Sequence, residues 1–289
     1  MHSRVRRFEN NWRNKLDDLL NNPAVQAGVV PFLVALVASA FLQRTRLLGL
    51  AIGAGLLAAV GLTMGFSFES LTSVRKLVLV AGAAMVASLL LEATASACSA
   101  TLRATLAAAF ALAALWVVQR LLAQQETGAA VFAGAAAVLY VMVLVDSFHQ
   151  VGGDPVRSAS SALLLGLTSG ALALLGASAQ LAQLGIAIGA AAGGTLLVQM
   201  IAGKRAPVGW TLGLTASVGA GLIGLLAVFT GSLPWFCLLP TLVIPWATRW
   251  VPSEGRPVWL ASILCACAAL IPSLLAVALA WFTGGTSPT

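Results

Sequence analysis

Asp146 and His149 form the one histidine–carboxylate constellation within the apolar stretches of this sequence. They stand three residues apart near the end of an apolar run, a spacing that puts both on one helix face. Imidazole changes charge near neutral pH, so such a pair has the chemistry of a proton relay or a gate. A solvated helix end accounts for the same two residues and is the plainer reading. Glu92 and Arg103 bracket a Ser/Thr/Ala-rich connection and are expected either to pair across it or, for the arginine, to snorkel to the headgroups.

Uncharged polar residues sit deeper. Gln183, Thr195 and Gln199 interrupt one apolar run, and Thr211, Thr215 and Ser217 the next. Thr195 and Gln199 are four apart and can line a small polar cavity. The competing reading is polar glue between helices, worth about 0.6 kcal/mol per hydrogen bond on average. Small residues also recur at fixed spacing: Gly185, Gly189 and Gly193 in one run, Gly166 and Gly170 in the run before, and Gly213, Ser217 and Gly221 in the run after. Spacing by four puts each set on one helix face, where missing side chains let two backbones approach; a stripe along a solute path or against another subunit is the alternative.

Several chemistries lack their residues. The histidines are His2 and His149 alone, too few for bis-histidine haem ligation within one chain. The sequence has no His-Glu-x-x-His site, no glycine-rich phosphate loop ending in Gly-Lys-Ser/Thr and no Gly-x-Ser-x-Gly elbow. Paired aspartates that hold magnesium against a diphosphate are missing as well. Cys98, Cys237, Cys265 and Cys267 form no Cys-x-x-Cys pair and read as small packing residues. The expectation is a protein without catalytic residues, cofactor or metal, and not an enzyme acting alone.

The elements that would position these residues are set by composition. Hydrophobic residues make up 60% of the 289 and charged residues 9%, with mean hydropathy +0.96, whereas soluble domains are about a quarter charged. A membrane crossing needs about 20 mostly apolar residues, and the chain offers about ten such stretches. They run Val25–Leu42, Leu47–Phe66, Lys76–Leu91, Thr101–Leu122, Gly128–Phe148, Ser158–Ala177, Leu181–Ile201, Gly209–Phe229, Pro234–Trp250 and Val258–Phe282. The fold class is all-α, a polytopic transmembrane helical bundle. Pro234, Pro240 and Pro245 mark the ninth stretch as one that can be kinked, re-entrant or interfacial. Trp210, Trp235, Trp246, Trp250, Trp259 and Trp281 fall near the ends of the last three stretches, as an aromatic belt does.

Ahead of the first run, Val5, Phe8, Trp12, Leu16 and Leu19 recur at helical spacing among Arg6, Arg7, Arg13 and Lys15. Residues 1–23 therefore read as an amphipathic interfacial segment, with anionic headgroups or a partner protein at residues 5–20. The first run ends in Ala38-Ser39-Ala40, which imitates a secretory signal, but the polar lead is long and the run is expected to be retained as an anchor. The net charge of +7 is spread as flanking charge along the bilayer, so nucleic acid is not an expected partner.

Orientation signals conflict. The basic tail argues for a cytoplasmic start. Arg44, Arg46, Arg103, Arg157, Lys204, Arg205, Arg249 and Arg256 lie in or beside odd-numbered loops, against Arg75, Lys76 and Arg120 in even-numbered ones, and argue the reverse. A shift of 129 residues lays the five runs of residues 24–150 approximately over the five of residues 151–289, placing Arg75-Lys76 on Lys204-Arg205 and Arg120 on Arg249. Halves of five spans each would be inverted; ten similar segments also overlay by chance. Two functions fit: a secondary transporter or permease for a small solute, or a non-catalytic subunit or anchor of a larger membrane complex. High alanine and glycine with arginine over lysine favour a bacterial inner membrane.

Overall fold

The computed structural model describes residues 22–66, 69, 71–93, 100–176, 178–207, 209–231 and 233–284. The amphipathic segment expected at residues 5–20, and Cys98, lie outside the described residues. Among the described residues ten helices follow one another: α1 (Val25–Leu42, opening with a π-helical turn at Val25–Val29), α2 (Leu50–Thr63), α3 (Ser73–Ala93), α4 (Ala100–Leu122) and α5 (Thr127–Val151). Then come α6 (Pro155–Leu175), α7 (Ala179–Ala202), α8 (Trp210–Thr230), a 3-10 turn at Trp235–Leu238 leading into α9 (Leu239–Arg249), and α10 (Val258–Gly284). No strand occurs among the described residues.

Eight of these helices are long and apolar enough to cross a bilayer. The chain is a multi-pass integral membrane protein. The other two are shorter than the sequence implies. In the stretch Leu47–Phe66 regular helix covers only Leu50–Thr63, 14 residues, or about 21 Å at 1.5 Å per residue against a core of about 30 Å. The ninth stretch holds an 11-residue helix with Pro245 inside it, as its prolines foretell.

Helix α8 is the axis of the bundle. Every residue from Thr211 to Val228 is buried, and α3, α5, α6 and α7 all pack on it. A helix apolar on all sides can be enclosed on all sides, and the small residues of α8 let four neighbours approach.

The most extensive helix–helix packing is between α6 and α7. A methyl group on Gly166 would lie 2.5 Å from the Gly189 nitrogen, one on Gly185 2.5 Å from the Gly170 nitrogen, and one on Gly170 2.9 Å from the Ile186 nitrogen. These backbones touch with no side chain between them. Gly193 differs, since a methyl there would meet the Leu163 side chain at 3.5 Å, an ordinary contact. On α8 the small residues receive side chains: Gly213 faces Phe148, Gly221 faces the end of Leu144, and Ser217 turns its hydroxyl to the Leu214 carbonyl.

Antiparallel succession sorts the charges by end. Arg46 meets Thr211, Glu92 meets Trp210, and Arg205 meets Asp154, so the turns carrying Arg44, Arg46, Arg103, Arg157, Lys204, Arg205, Arg249 and Arg256 share one end of the bundle. Arg75, Lys76 and Arg120 lie at the other, with the start of α1.

Candidate functional site

The arginine-rich end is closed by a polar rim built from helix termini. Asp154 caps α6, its Oδ1 accepting from the Val156 amide at 2.9 Å, with Pro155 at the first helical position. An aspartate N-cap followed by proline is a strong local helix start. The other oxygen, Oδ2, accepts from Arg205 Nη1 at 3.0 Å and from Ser253 Oγ at 2.5 Å, and Arg157 Nε stands 3.7 Å away. Arg205 also donates to the Ser253 carbonyl, and Arg157 Nη2 to the Val251 carbonyl at 2.8 Å. One carboxylate thus ties together the turns before α6, before α8 and before α10. The sequence signal for it was the Asp-Pro pair, which reading for span-embedded acids passed over.

Asp146 and His149 do share one face of α5, but no hydrogen bond or ion pair joins them. Asp146 pairs with Arg103 of α4 at 3.1 Å and accepts from Gln150 Nε2 at 2.8 Å; Gln150 in turn accepts from Arg249 at 2.5 Å. His149 stacks on Trp210, ring centroids 4.5 Å apart. The expected Glu92–Arg103 pair does not form, because each has a closer partner elsewhere. Glu92 Oε1 accepts from the Trp210 amide at 2.6 Å. Gly209, the residue before α8, has no side chain to cap the helix, and a methyl there would collide with the Glu92 carboxylate. A carboxylate from α3 therefore caps the axial helix and meets the positive end of its dipole. Glu92→Ala is expected to lower stability by about 1–2 kcal/mol and Glu92→Gln by less, measured by denaturant unfolding in detergent; equal losses would leave capping without a role.

Below this rim lies a buried uncharged patch. Ser39 of α1 donates to Thr195 Oγ1 at 3.0 Å, and Thr195 donates to its own Ala191 carbonyl. One turn on, Gln199 is 1% exposed and neither its amide nitrogen nor its amide oxygen has a hydrogen-bond partner. Thr215 Oγ1 of α8 is likewise buried without a partner, while Thr211 donates to the Arg46 carbonyl at 3.2 Å. Gln183 is only partly buried at the other end of α7. An unmet buried polar group costs about 1–3 kcal/mol, so the Gln199 amide leaves a donor and an acceptor open inside the bundle.

A second polar group, which sequence reading missed, surrounds the short ninth segment. The chain's single tyrosine, Tyr140, is buried in α5 and lies 3.0 Å from Thr241 Oγ1. Thr241 uses its own hydrogen on the Leu238 carbonyl, so Tyr140 is the donor. Ser161 meets Thr248 in the same way at 2.8 Å, since Thr248 donates to the Pro245 carbonyl. Trp246 Nε1 donates to Ser147 at 2.8 Å. A ladder of side-chain hydrogen bonds therefore fastens α9 to α5 and α6, while threonine hydroxyls serve carbonyls around Pro240 and Pro245. The buried Ser169 hydroxyl, unpartnered, faces Gly224 beside Tyr140.

At the opposite end Lys76 is 3% exposed; its ammonium donates to the Trp116 carbonyl at 3.0 Å and lies over the Trp116 ring. Its place at the start of an apolar run implies loop charge, whereas the side chain is buried inside α3. Cys237 and Cys265 are buried and Cys267 exposed, all free. Among the described residues no group of histidine, cysteine, aspartate and glutamate could hold a metal ion. No protein-family model and no curated protein matches the sequence.

Proposed function

We propose that the protein is a secondary transporter or permease for a small polar solute, not an enzyme, and that it works in a bacterial inner membrane. The observation that carries this reading is Gln199, a buried amide offering a donor and an acceptor to nothing in the protein. Solute sites in such proteins lie between helix bundles beside interrupted helices; α9 is short and carries Pro245 inside it, but it packs on α5, α6 and α10 and not on α7, so the proposal rests on Gln199 itself. The rim centred on Asp154 and Asp146 would then close the arginine-rich end. Counted over the loops alone, the positive-inside rule puts that end in the cytoplasm, while the basic tail ahead of α1 pulls the other way. Inverted five-helix halves, residues 24–150 and 151–289, belong to the same proposal.

Uptake of a panel of labelled polyols, amides, amino acids and sugars into proteoliposomes tests it. Gln199→Leu is expected to cut uptake of the transported class by about tenfold or more, because one to two hydrogen bonds are lost. Its stability should hold or rise, since the change removes two unmet polar atoms. Undiminished uptake in Gln199→Leu would remove this site from the pathway.

A second reading, a non-catalytic subunit or anchor of a membrane complex, is favoured by one observation. Glu69, Glu92, Glu126, Asp154 and Glu254 lie at or beyond helix ends and Asp146, in the last two turns of α5, is 39% exposed, so the described interior offers no buried acid to couple an ion. Stoichiometric partners in the particle extracted gently from its host would support this reading, and a lone monomer or homo-oligomer the transporter.

A further inference from the structure

A groove of about 580 Å³ runs between α9 and α10 on the outer surface of the bundle. Val243 and Ala247 of α9 and Ala268 and Ile271 of α10 line it, and at the arginine-rich end its mouth carries Trp250 and Arg256. From Leu264 to Leu275 the α10 wall rises about 16 Å at 1.5 Å per residue. That is about half of the 30 Å hydrocarbon core, the depth of one leaflet. Ala247 and Ala268 keep it open where larger side chains would close it.

The mouth supplies the charge. Arg256 is exposed and its guanidinium has no hydrogen-bond or ion-pair partner among the described residues, whereas Arg157, Arg205 and Arg249 at the same end are all engaged. Trp250 is 75% exposed, an amphipathic ring at headgroup level. The comparable groove between α4 and α5, lined by Leu115, Val131 and Met142, has no charged residue. A cation at the mouth of an apolar slot one leaflet deep is complementary to an amphiphile with an anionic head and a long apolar tail.

We propose that the α9–α10 groove binds one anionic phospholipid from the leaflet at the arginine-rich end, with an acyl chain against Ala247 and Ala268 and the phosphate on Arg256. This is independent of whether the protein transports. The lipid would fill the open side of α9, the helix whose other sides are bonded to α5 and α6.

The test is native mass spectrometry of the full chain in detergent, titrated with dioleoylphosphatidylglycerol and separately with dioleoylphosphatidylcholine. Wild type is expected to retain one phosphatidylglycerol in preference to phosphatidylcholine. Arg256→Gln should reduce that retention by about fivefold, the worth of one basic residue at the membrane surface. Arg46→Gln, an exposed arginine at the same end outside the groove, should leave it unchanged. Ala268→Leu should reduce retention of both lipids, with circular dichroism confirming the helical fold; should that variant fail to fold, Ala247→Leu makes the same test from the other wall. Equal retention of the two lipids by wild type, or full phosphatidylglycerol retention in Arg256→Gln, would overturn the proposal. So would a stoichiometric apolar peptide or protein seated there in place of lipid.

Discussion

Replacing Gly185 by alanine is expected to destabilise the protein by about 3 kcal/mol, while the same replacement eight residues on, at Gly193, is neutral or slightly stabilising. Both glycines belong to one stripe, and the sequence gives no reason to separate them. The structure does. The added methyl at position 185 meets the nitrogen of Gly170 at 2.5 Å, and the backbone of a packed helix cannot step aside as a flexible side chain can. Relief requires α6 and α7 to move apart, which surrenders dispersion contacts along the most extensively packed helix pair in the bundle. At position 193 the methyl meets the Leu163 side chain at 3.5 Å, and alanine gains about 1 kcal/mol of helix propensity over glycine. Unfolding of both variants by denaturant in detergent micelles checks the contrast. Equal stabilities would mean that α6 and α7 are not in backbone contact in the membrane.

Apolar run length and the 3.6-residue period carry most of this fold, which is why helix positions were legible. A bilayer leaves backbone groups no partner but the helix itself, so a long apolar run has a single solution. Ends were less legible. Leu50–Thr63 is shorter than its apolar run because Leu47, Leu48 and Gly49 form a turn, the last two buried, with Gly49 pressed on the backbone of Thr211 and Leu212. Apolarity alone cannot tell a buried turn from a helix.

The candidate site was legible where it depended on position within a run and illegible where it depended on partners. Thr195 and Gln199 stood out as polar interruptions, and both are buried on one face of α7. Asp146 also stood out, but its partner is Arg103, brought from α4 by tertiary packing, and not His149 on its own face. Glu92 and Arg103 are neighbours in the sequence reading, yet Glu92 is drawn to the unsatisfied amide at the start of α8. Helix termini leave such donors wherever the chain begins a turn, and a sequence read one segment at a time does not show which remote side chain will reach them. Lys76 and Tyr140 were missed for the same reason, since a single polar group in an apolar run has no local partner to reveal it.

Asp154→Asn is expected to cost about 2–3 kcal/mol, well above the 0–1 kcal/mol expected for Asp146→Asn. Asparagine caps a helix as well as aspartate does, so the bond to the Val156 amide survives and the loss isolates the charge. Side-chain exposure is 12% for Asp154 and 29% and 21% for Arg205 and Arg157, so two arginines would be left half-buried against a neutral amide. Removing one partner from such a cluster is costly because the desolvated charges remain. Asp146 and Arg103 are 39% and 37% exposed, and water and salt screen most of that pair. Denaturant unfolding at low and high salt separates the two, since only the Asp146 pair should lose its effect as ionic strength rises. Because Asp154 joins three turns at one end, its neutralisation should also loosen that end as a unit. In a cysteine-free background, a Thr195→Cys thiol should then react faster with a membrane-impermeant maleimide when Asp154→Asn is present. An unchanged rate with reduced stability would make the rim a structural clamp and deprive the transporter reading of its gate.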